Sequence, residues 1–247
     1  KYSTYLYGNE TMRLLKKYQE DTNANKKPFF LYLPFQAVHG PLEAPQYIIN
    51  SFDKSITSSE DRRKKAAMVT VLDYVIGEIV DYLQSSKLWD NMILIFSTDN
   101  GGPVQDAASN FPLRGSKATL WEGGVKGCGF ITGGWLPEAR RGKNMNALMH
   151  ITDWYPTLCD IAGVEPSNKT ILDGYSQKTN IYNGETNLYS PREEILHNID
   201  PVGCNITICG GIRMKQYKLV VGKEVIDEKN LCRSGWCPLN DTNSNGA

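Results

Sequence analysis

Three polar side chains that could do chemistry together occur in one short stretch of this 247-residue chain. Asp99 and Asn100 follow an apolar run at residues 92–96 after Ser97 and Thr98, and Lys117 lies in the glycine-rich loop that comes next. Carboxylate and amide oxygens are hard ligands that suit Ca²⁺ or Mg²⁺, and a lysine ammonium can hold an anion. The pattern therefore predicts a cation and an anion bound side by side. A plain turn is the alternative, because Asp, Asn and Gly are also common turn residues.

His39 follows a second apolar run, at residues 29–33, that Pro34 brings to an end. Both runs are typical of strands buried on both faces, and a long helical segment separates them. Strand, helix and strand in this order predict a βαβ unit with parallel strands. The carboxyl ends of parallel strands share one sheet edge, where ligands bind. His39 is therefore predicted to lie at the same edge as Asp99, although a lone histidine is more often structural.

The other elements are predicted from caps, apolar spacing and turn residues. The long helix should begin at Ser58 or Ser59, ahead of two acidic residues, and pack an apolar stripe on the sheet. The stripe consists of Met68, Leu72, Val75, Ile79 and Leu83. A helix is also expected within residues 5–20, and strands at 125–132, 193–198 and 217–221. A short helix should run from its cap at Asp153 to Gly163, with His150 packed near the cap and His197 near a strand end.

Composition limits the class of protein to which the chain belongs. A hydrophobic fraction of 40% supports a real core. The 27 basic residues equal the 27 acidic ones, which argues against a nucleic-acid partner. No apolar run approaches the roughly 20 residues that a membrane-spanning helix needs, so no transmembrane segment is predicted. The chain starts at Lys1 with sequence typical of a chain interior, so we expect a piece of a longer protein.

Sequons and cysteines point to the secretory pathway, with a secreted or lysosomal destination. Glycosylation is predicted at the four N-x-[ST] sequons, Asn9, Asn168, Asn205 and Asn240. Four cysteines surround the predicted strand at 217–221 and suggest a disulfide-stapled hairpin: Cys204, Cys209, Cys232 and Cys237. Nested pairing would fit antiparallel strands, but spacing leaves the connectivity open, and a zinc site is the alternative. Cys128 and Cys159 are predicted to be buried free thiols.

Several strings, in this order along residues 28–219, resemble one known family. They are F-F-L-Y-L-P-F-Q-A-V-H-G-P-L-E-A-P, I-F-S-T-D-N-G-G, P-L-R-G-S-K-A-T-L-W-E-G-G-V-K-G, H-I-T-D-W-Y-P-T-L and I-L-H-N-I-D. The chain resembles the sulfatase family. Within the family it most resembles the arylsulfatase B-like branch, that of N-acetylgalactosamine-4-sulfatase and its relatives. The resemblance implies an alkaline-phosphatase-like α/β fold, with a mixed sheet flanked by helices.

The resemblance also implies roles for the residues singled out above. Asp99 and Asn100 would be part of a Ca²⁺ site, and His39 and Lys117 would contact the sulfate group of a sulfate ester as catalytic and substrate-binding residues. The family nucleophile is a formylglycine made from the cysteine of a C-x-P-x-R motif. No such motif occurs in this chain, and neither do the family's Asp-Asp metal pair and Lys-x-His element.

These departures imply that an N-terminal segment or partner chain supplies the nucleophile, and that this chain alone is inactive. Residues 1–200 would then be the C-terminal portion of the catalytic α/β domain, which is incomplete without that N-terminal portion. Residues 201–247 would form the stapled hairpin and the start of a small C-terminal subdomain. One alternative is an inactive, sulfatase-derived secreted glycoprotein with a structural, storage or binding role. A two-zinc phosphoesterase of the same superfamily is another. The sequence leaves the sulfate ester itself open.

Overall fold

The computed structural model describes residues 2–23, 27–52, 59–167, 171–184, 190–200 and 209–221. Its helices are α1 (Ser3–Glu20), α2 (Gln46–Ile49), α3 (Glu60–Ser85), α4 (Glu122–Val125), α5 (Trp154–Ala162) and α6 (Lys178–Asn183). Its strands are β1 (Leu94–Ser97), β2 (Gly129–Thr132), β3 (Glu194–Asp200), β4 (Cys209–Met214) and β5 (Tyr217–Val221). Single 3₁₀ turns cover Leu88–Asn91, Val104–Asp106, Glu138–Arg140 and Ile151–Asp153. No helix among these residues is long and apolar enough to cross a membrane.

The long helices α1 and α3 form the main hydrophobic core. Helix α3 begins as predicted, with the Ser59 hydroxyl accepting a hydrogen bond from the Arg62 amide. Its buried face consists of Ala67, Met68, Val71, Val75, Ile79 and Leu83. The predicted stripe contained Leu72 in place of Val71, because a helical stripe can step by three or by four residues.

Among the described residues, helix α3 packs mainly against α1, and not mainly against a sheet as predicted. The approach is close at Gly8, where a Cβ atom would lie 2.4 Å from Val75 Cγ1. Leu15 of α1 joins the same buried cluster, and Leu33 and Phe35 pack against its side. The segment that carries His39 therefore rests on this helical core.

Strands β1 and β2 pair antiparallel, from Leu94 opposite Thr132 to Ser97 opposite Gly129. The predicted parallel partner is not present as a strand, because residues 29–33 pair with no strand in the described ranges. Phe30 and Tyr32 are 78% and 77% exposed, so burial on both faces was wrong for this run. The side chains of β1 are only partly covered, and Phe96 stacks on the half-exposed Phe130. A strand requires a hydrogen-bonded neighbour, which an apolar run alone does not provide.

Strands β3, β4 and β5 form a second, antiparallel sheet. The strands predicted at 193–198 and 217–221 are confirmed, and His197 lies within β3 at an irregularity between Leu196 and Asn198, not near its end. Strands β3 and β4 belong to one sheet, although the predicted domain boundary at residue 200 falls between them. The division into two domains stays a prediction.

The cysteine and sequon predictions fall partly within the described residues. Cys209, at the start of β4, is disulfide-bonded, whereas Cys204, Cys232 and Cys237 lie outside the described residues. Cys128 and Cys159 are free as predicted, but the first is exposed and the second partly exposed, so their predicted burial was wrong. Asn9 is exposed on α1, where glycosylation stays a prediction. Asn168, Asn205 and Asn240 lie outside the described residues.

Helix α5 ends as predicted at Gly163, which has a φ of 68°. Asp153 precedes this helix, but its side chain does not cap it. The carboxylate is fully buried and forms an ion pair with Arg192, at 2.6 Å. His150 packs beside it as predicted: its amide donates to Asp153 Oδ2, and its ring accepts from the Thr152 amide. This cluster joins α5 to the segment that leads into β3.

Candidate active site

His39 and Lys117 meet across 78 residues of sequence. Lys117 Nζ lies 3.5 Å from His39 Nε2, so the structure brings together the two residues predicted to hold an anion. His39 is exposed and Lys117 is partly exposed. An anion approaching from solvent can therefore reach both nitrogens.

The contacts of the imidazole ring decide its tautomer. His39 Nδ1 lies 2.9 Å from the carbonyl oxygen of Gly40. Because a carbonyl oxygen can only accept, Nδ1 must carry the proton of this bond. In a neutral ring Nε2 is then an acceptor facing the Lys117 ammonium, and in a protonated ring both groups would donate. An anionic oxygen between them would accept from both cations, which is the arrangement that a sulfate or phosphate group requires.

Asp99 and Asn100 lie in the loop directly after β1, as predicted. Thr98 fixes the start of this loop, because its amide donates to the Cys128 carbonyl at 2.9 Å and its hydroxyl accepts from the Cys128 amide at 2.8 Å. Farther along, the Gly101 amide donates to the Gly124 carbonyl at 2.9 Å. A Cβ atom at Gly101 would lie 1.6 Å from the carbonyl oxygen of Gly123, so only glycine fits. Backbone contacts on both sides therefore position the two oxygen-bearing side chains.

Asn110 connects this loop to the loop of Lys117, and sequence reasoning missed it. Its Oδ1 accepts from the Gly102 amide at 2.8 Å, and its Nδ2 donates to the carbonyls of Gly102 and Gly115 at 2.8 and 3.1 Å. The Lys117 amide also donates to the Gly102 carbonyl at 3.3 Å. No local pattern marks an asparagine that joins two loops, although its place between the two motifs could have suggested the role.

The side chains at the β1 end are of the kind that binds a hard cation. Asn100 Nδ2 donates to the Gly101 carbonyl, which leaves Oδ1 as an acceptor. The exposed Asp99 carboxylate has no hydrogen bond or ion pair with the part of the chain that the structure describes. No three His, Cys, Asp or Glu residues there converge on a metal position. Since Ca²⁺ takes 6–8 oxygens, Asp99 and Asn100 fit it as a partial ligand set.

Glu122 ties the end of the Lys117 loop to the second sheet. Its carboxylate accepts from Lys218 Nζ at 2.8 Å and from Arg213 Nη1 at 3.1 Å. Burial raises the pKa of Glu122, but the hydrogen bond from Lys218 and the charges of Lys218 and Arg213 outweigh this and leave it lowered. Glu122 is therefore anionic at neutral pH and pairs with both cations.

His197 belongs to this second cluster and not to the His39–Lys117 pair. Its Nε2 is buried without a hydrogen-bond partner among the described residues. Burial, followed by the charge of Lys218, lowers the pKa of His197, so its ring stays neutral at neutral pH. His150 also lies elsewhere, at the start of the turn before α5. Of the three histidines, His39 alone is placed beside Lys117.

Comparisons with known proteins identify the family of this site. The sulfatase family model matches residues 1–164. Mouse arylsulfatase J is 38% identical over 251 residues, which cover 96% of this chain and 39% of that protein. Human N-acetylgalactosamine-6-sulfatase is 27% identical over 175 residues, which cover 69% of this chain and 31% of that protein. The chain thus spans less than two fifths of the length of these relatives. Their names do not support the 4-sulfatase subtype predicted from the sequence.

Solved structures agree on the fold. The crystal structure of Ps i-CgsB in complex with k-i-k-neocarrahexaose superposes with a TM-score of 0.76 at 27% identity, over 89% of this chain and 46% of that one. A Bacteroides thetaiotaomicron structure from work on glycosaminoglycan metabolism gives a TM-score of 0.67 at 20% identity, over 88% and 42% of the chains. The predicted alkaline-phosphatase-like α/β fold of the sulfatases is confirmed. On its own sequence and fold, this chain belongs to the sulfatase family.

Proposed function

We propose that this chain supplies the sulfate-binding half of a sulfatase site. The complete protein would hydrolyse a sulfate ester to an alcohol and inorganic sulfate. Lys117 and His39 would bind the sulfuryl oxygens. The nucleophile would come from a C-x-P-x-R motif on an N-terminal segment or partner chain. This chain alone would then be inactive.

One observation carries the proposal, namely the 3.5 Å contact between Lys117 Nζ and His39 Nε2. The contact places an ammonium and an imidazole, both able to donate to one anion, side by side. The loop of Asp99 and Asn100 is tied to the loop of Lys117 through Gly102. The proposed anion site and hard-cation site would therefore be neighbours, which suits the chemistry of a sulfate ester.

The residues of this chain would act by binding and by orienting. The Lys117 ammonium would neutralise charge on the sulfuryl oxygens as it redistributes during hydrolysis. His39, held by Gly40 through Nδ1, would present Nε2 to the substrate, and in its protonated form it could donate to an oxygen. Asp99 and Asn100 would hold Ca²⁺, and a bound Ca²⁺ would supply further positive charge to the sulfate group. The His39 ring is exposed, as contact with a substrate from solvent requires.

The test uses the complete protein, with the nucleophile-bearing segment present. Hydrolysis of 4-nitrocatechol sulfate and of 4-nitrophenyl phosphate is measured side by side, and the sulfate ester should be the substrate. Lys117→Ala should lower kcat by at least ~10²-fold, as removal of one transition-state donor does. Lys126→Ala is the matched control, because Lys126 is an exposed lysine outside the His39–Lys117 pair. A Lys117→Ala variant with normal turnover would refute the assigned role.

The outcomes separate the alternatives. Preferential phosphate hydrolysis with two zinc ions would favour the related phosphoesterase. A native protein with no nucleophile-bearing companion in intact-mass analysis, and with no activity, would favour the inactive secreted glycoprotein. Metal analysis after dialysis should find Ca²⁺ in the active case. We also propose a secreted or lysosomal location, on the basis of the sequons and the disulfide-bonded Cys209.

A further inference from the structure

Lys65, in the first half of α3, reaches the loop that carries His39. Its Nζ donates to the carbonyl oxygen of Val38 at 3.1 Å, across 27 residues of sequence. Val38 directly precedes His39 in the chain. The lysine is half-buried, so its side chain is enclosed between the helix and the loop. Helix α3 thus holds the backbone beside the catalytic candidate.

The charges around Lys65 differ from those around an ordinary surface lysine. Burial, first of all, lowers the pKa of Lys65, and the charge of Lys117 lowers it further, whereas Asp106 raises it. No carboxylate forms an ion pair with Lys65 within the described ranges. Burying half of an ammonium without an ion pair, near a second ammonium, costs folding free energy. The hydrogen bond to the Val38 carbonyl offsets part of this cost.

The adjacent lysine shows the contrast. Lys64 Nζ pairs with Glu60 at 2.9 Å and with Asp61 at 3.4 Å, both on its own helix. Lys64 therefore pairs within the first turns of α3, and it forms no hydrogen bond with the His39 loop among the residues that the structure describes. Two neighbouring lysines on one helix thus have different partners, and only Lys65 contacts the candidate site.

We propose that Lys65 is a positioning residue that fixes the Val38 carbonyl and thereby holds the His39 ring opposite Lys117. The inference rests on the proposed function, because the ring matters for turnover only if His39 binds the sulfate ester. Lys65 itself need not touch the substrate. It acts through the loop, since misplacement of a binding group by about 1 Å can cost about 10²-fold in rate.

The test compares four variants of the complete protein with the wild type on 4-nitrocatechol sulfate. Lys65→Met removes the donor and keeps the length, and kcat should fall about tenfold or more with KM changed less than about threefold. Lys65→Arg keeps an N–H donor at full reach and should recover most of the lost kcat, whereas Lys65→Gln, whose donor is one bond shorter, should recover less. Lys64→Met, the matched control, should retain the wild-type kcat and KM.

A second measurement does not depend on turnover. The His39 amide donates to the Gln36 carbonyl at 2.9 Å, so its hydrogen exchange reports the order of the loop. Exchange of this amide should be about tenfold faster in Lys65→Met and unchanged in Lys64→Met.

Failure of each proposal has its own signature. A wild-type protein that hydrolyses no sulfate ester refutes the proposed function, and the exchange rates then decide whether Lys65 orders the loop. An active wild type with a normal kcat in Lys65→Met overturns the inference about Lys65. A Lys65→Arg variant as slow as Lys65→Met also overturns it, because the hydrogen bond would then not be what matters.

Discussion

Loss of Arg192 should destabilise the protein strongly, because it leaves a buried carboxylate without its counter-ion. The side chains of Asp153 and Arg192 are 0% and 11% exposed. Arg192 Nε donates to both carboxylate oxygens at 3.1 and 2.9 Å, and Nη2 donates to Oδ1 at 2.6 Å. Arg192→Met keeps much of the apolar length of the side chain and removes all three bonds.

The expected magnitude follows from what remains around the carboxylate. Removing one partner of a buried ion pair costs about 3–5 kcal/mol. The amides of His150 and Tyr175, which donate to Asp153 at 2.8 and 2.9 Å, remain in the variant, so we expect a loss at the lower end of this energy range. Arg192 also donates to the Asp173 carbonyl at 2.8 Å, and this contact is lost as well. We therefore expect the free energy of unfolding to fall by about 3 kcal/mol.

Urea denaturation at pH 7, followed by tryptophan fluorescence, measures this change, because Trp154 begins α5 beside Asp153. The control is Lys178→Met, which breaks the pair with Asp160 at 3.0 Å, where the side chains are 38% and 46% exposed. That pair should contribute at most about 1 kcal/mol. A loss in Arg192→Met no larger than in the control would refute the reasoning.

The same contact makes the stability of the protein depend on pH. Burial raises the pKa of Asp153, but the hydrogen bonds from Arg192 and from the His150 and Tyr175 amides outweigh it and leave the pKa lowered. Asp153 therefore contributes stability above its unfolded pKa of about 3.9, and this is lost as pH falls through the folded pKa. In Arg192→Met the folded pKa should rise, so the difference in stability between wild type and variant should shrink in acid. A difference that stays constant from neutral pH to acid would contradict this.

Three further substitutions test the loops around the site. Gly101→Ala places a Cβ atom 1.6 Å from the Gly123 carbonyl oxygen, so kcat of the complete protein should fall by about 10²-fold; a normal rate would contradict the packing. Asn110→Ala breaks three hydrogen bonds and should cost about 1–3 kcal/mol in urea denaturation, where a smaller loss would indicate that water replaces them. Glu122→Gln weakens a half-buried contact with Lys218, so the free energy of unfolding from thermal denaturation should fall by about 1–3 kcal/mol. An unchanged stability would show that this contact is dispensable.

Local patterns predicted the elements whose signals are local. The Ser59 cap of α3 and the Gly163 stop of α5 are determined by a few neighbouring residues. The strand at 217–221 finds its hydrogen-bonded partner in β4, which directly precedes it in the chain. The family resemblance added the meeting of His39 with Lys117, which no local pattern contains. That contact depends on two loops converging, and only the quoted motifs pointed to it.

Predictions failed where the outcome depends on a distant partner. The run at residues 29–33 has the composition of a buried strand, yet its state depends on a neighbouring strand that the described residues do not provide. Asp153 looked like a cap because it precedes a helix, but Arg192 binds it from 39 residues away. Asn110 joins two loops through its amide and has no motif of its own. Such contacts follow from tertiary structure, which a reading of neighbouring residues does not include.

Contacts within this chain connect the elements that carry the proposed half-site. Asn110 joins the loop of Asp99 to that of Lys117, and Lys65 fixes the loop of His39 to α3, which belongs to the hydrophobic core. If a separate segment carries the nucleophile, as we propose, a preorganised half-site would require little rearrangement when that segment associates, and less of the association energy would be lost to ordering. That energy can come from covering apolar groups such as Phe30, which is 78% exposed. Substitution of Phe30 by a polar residue should therefore weaken assembly with that segment and leave the His39–Lys117 contact intact.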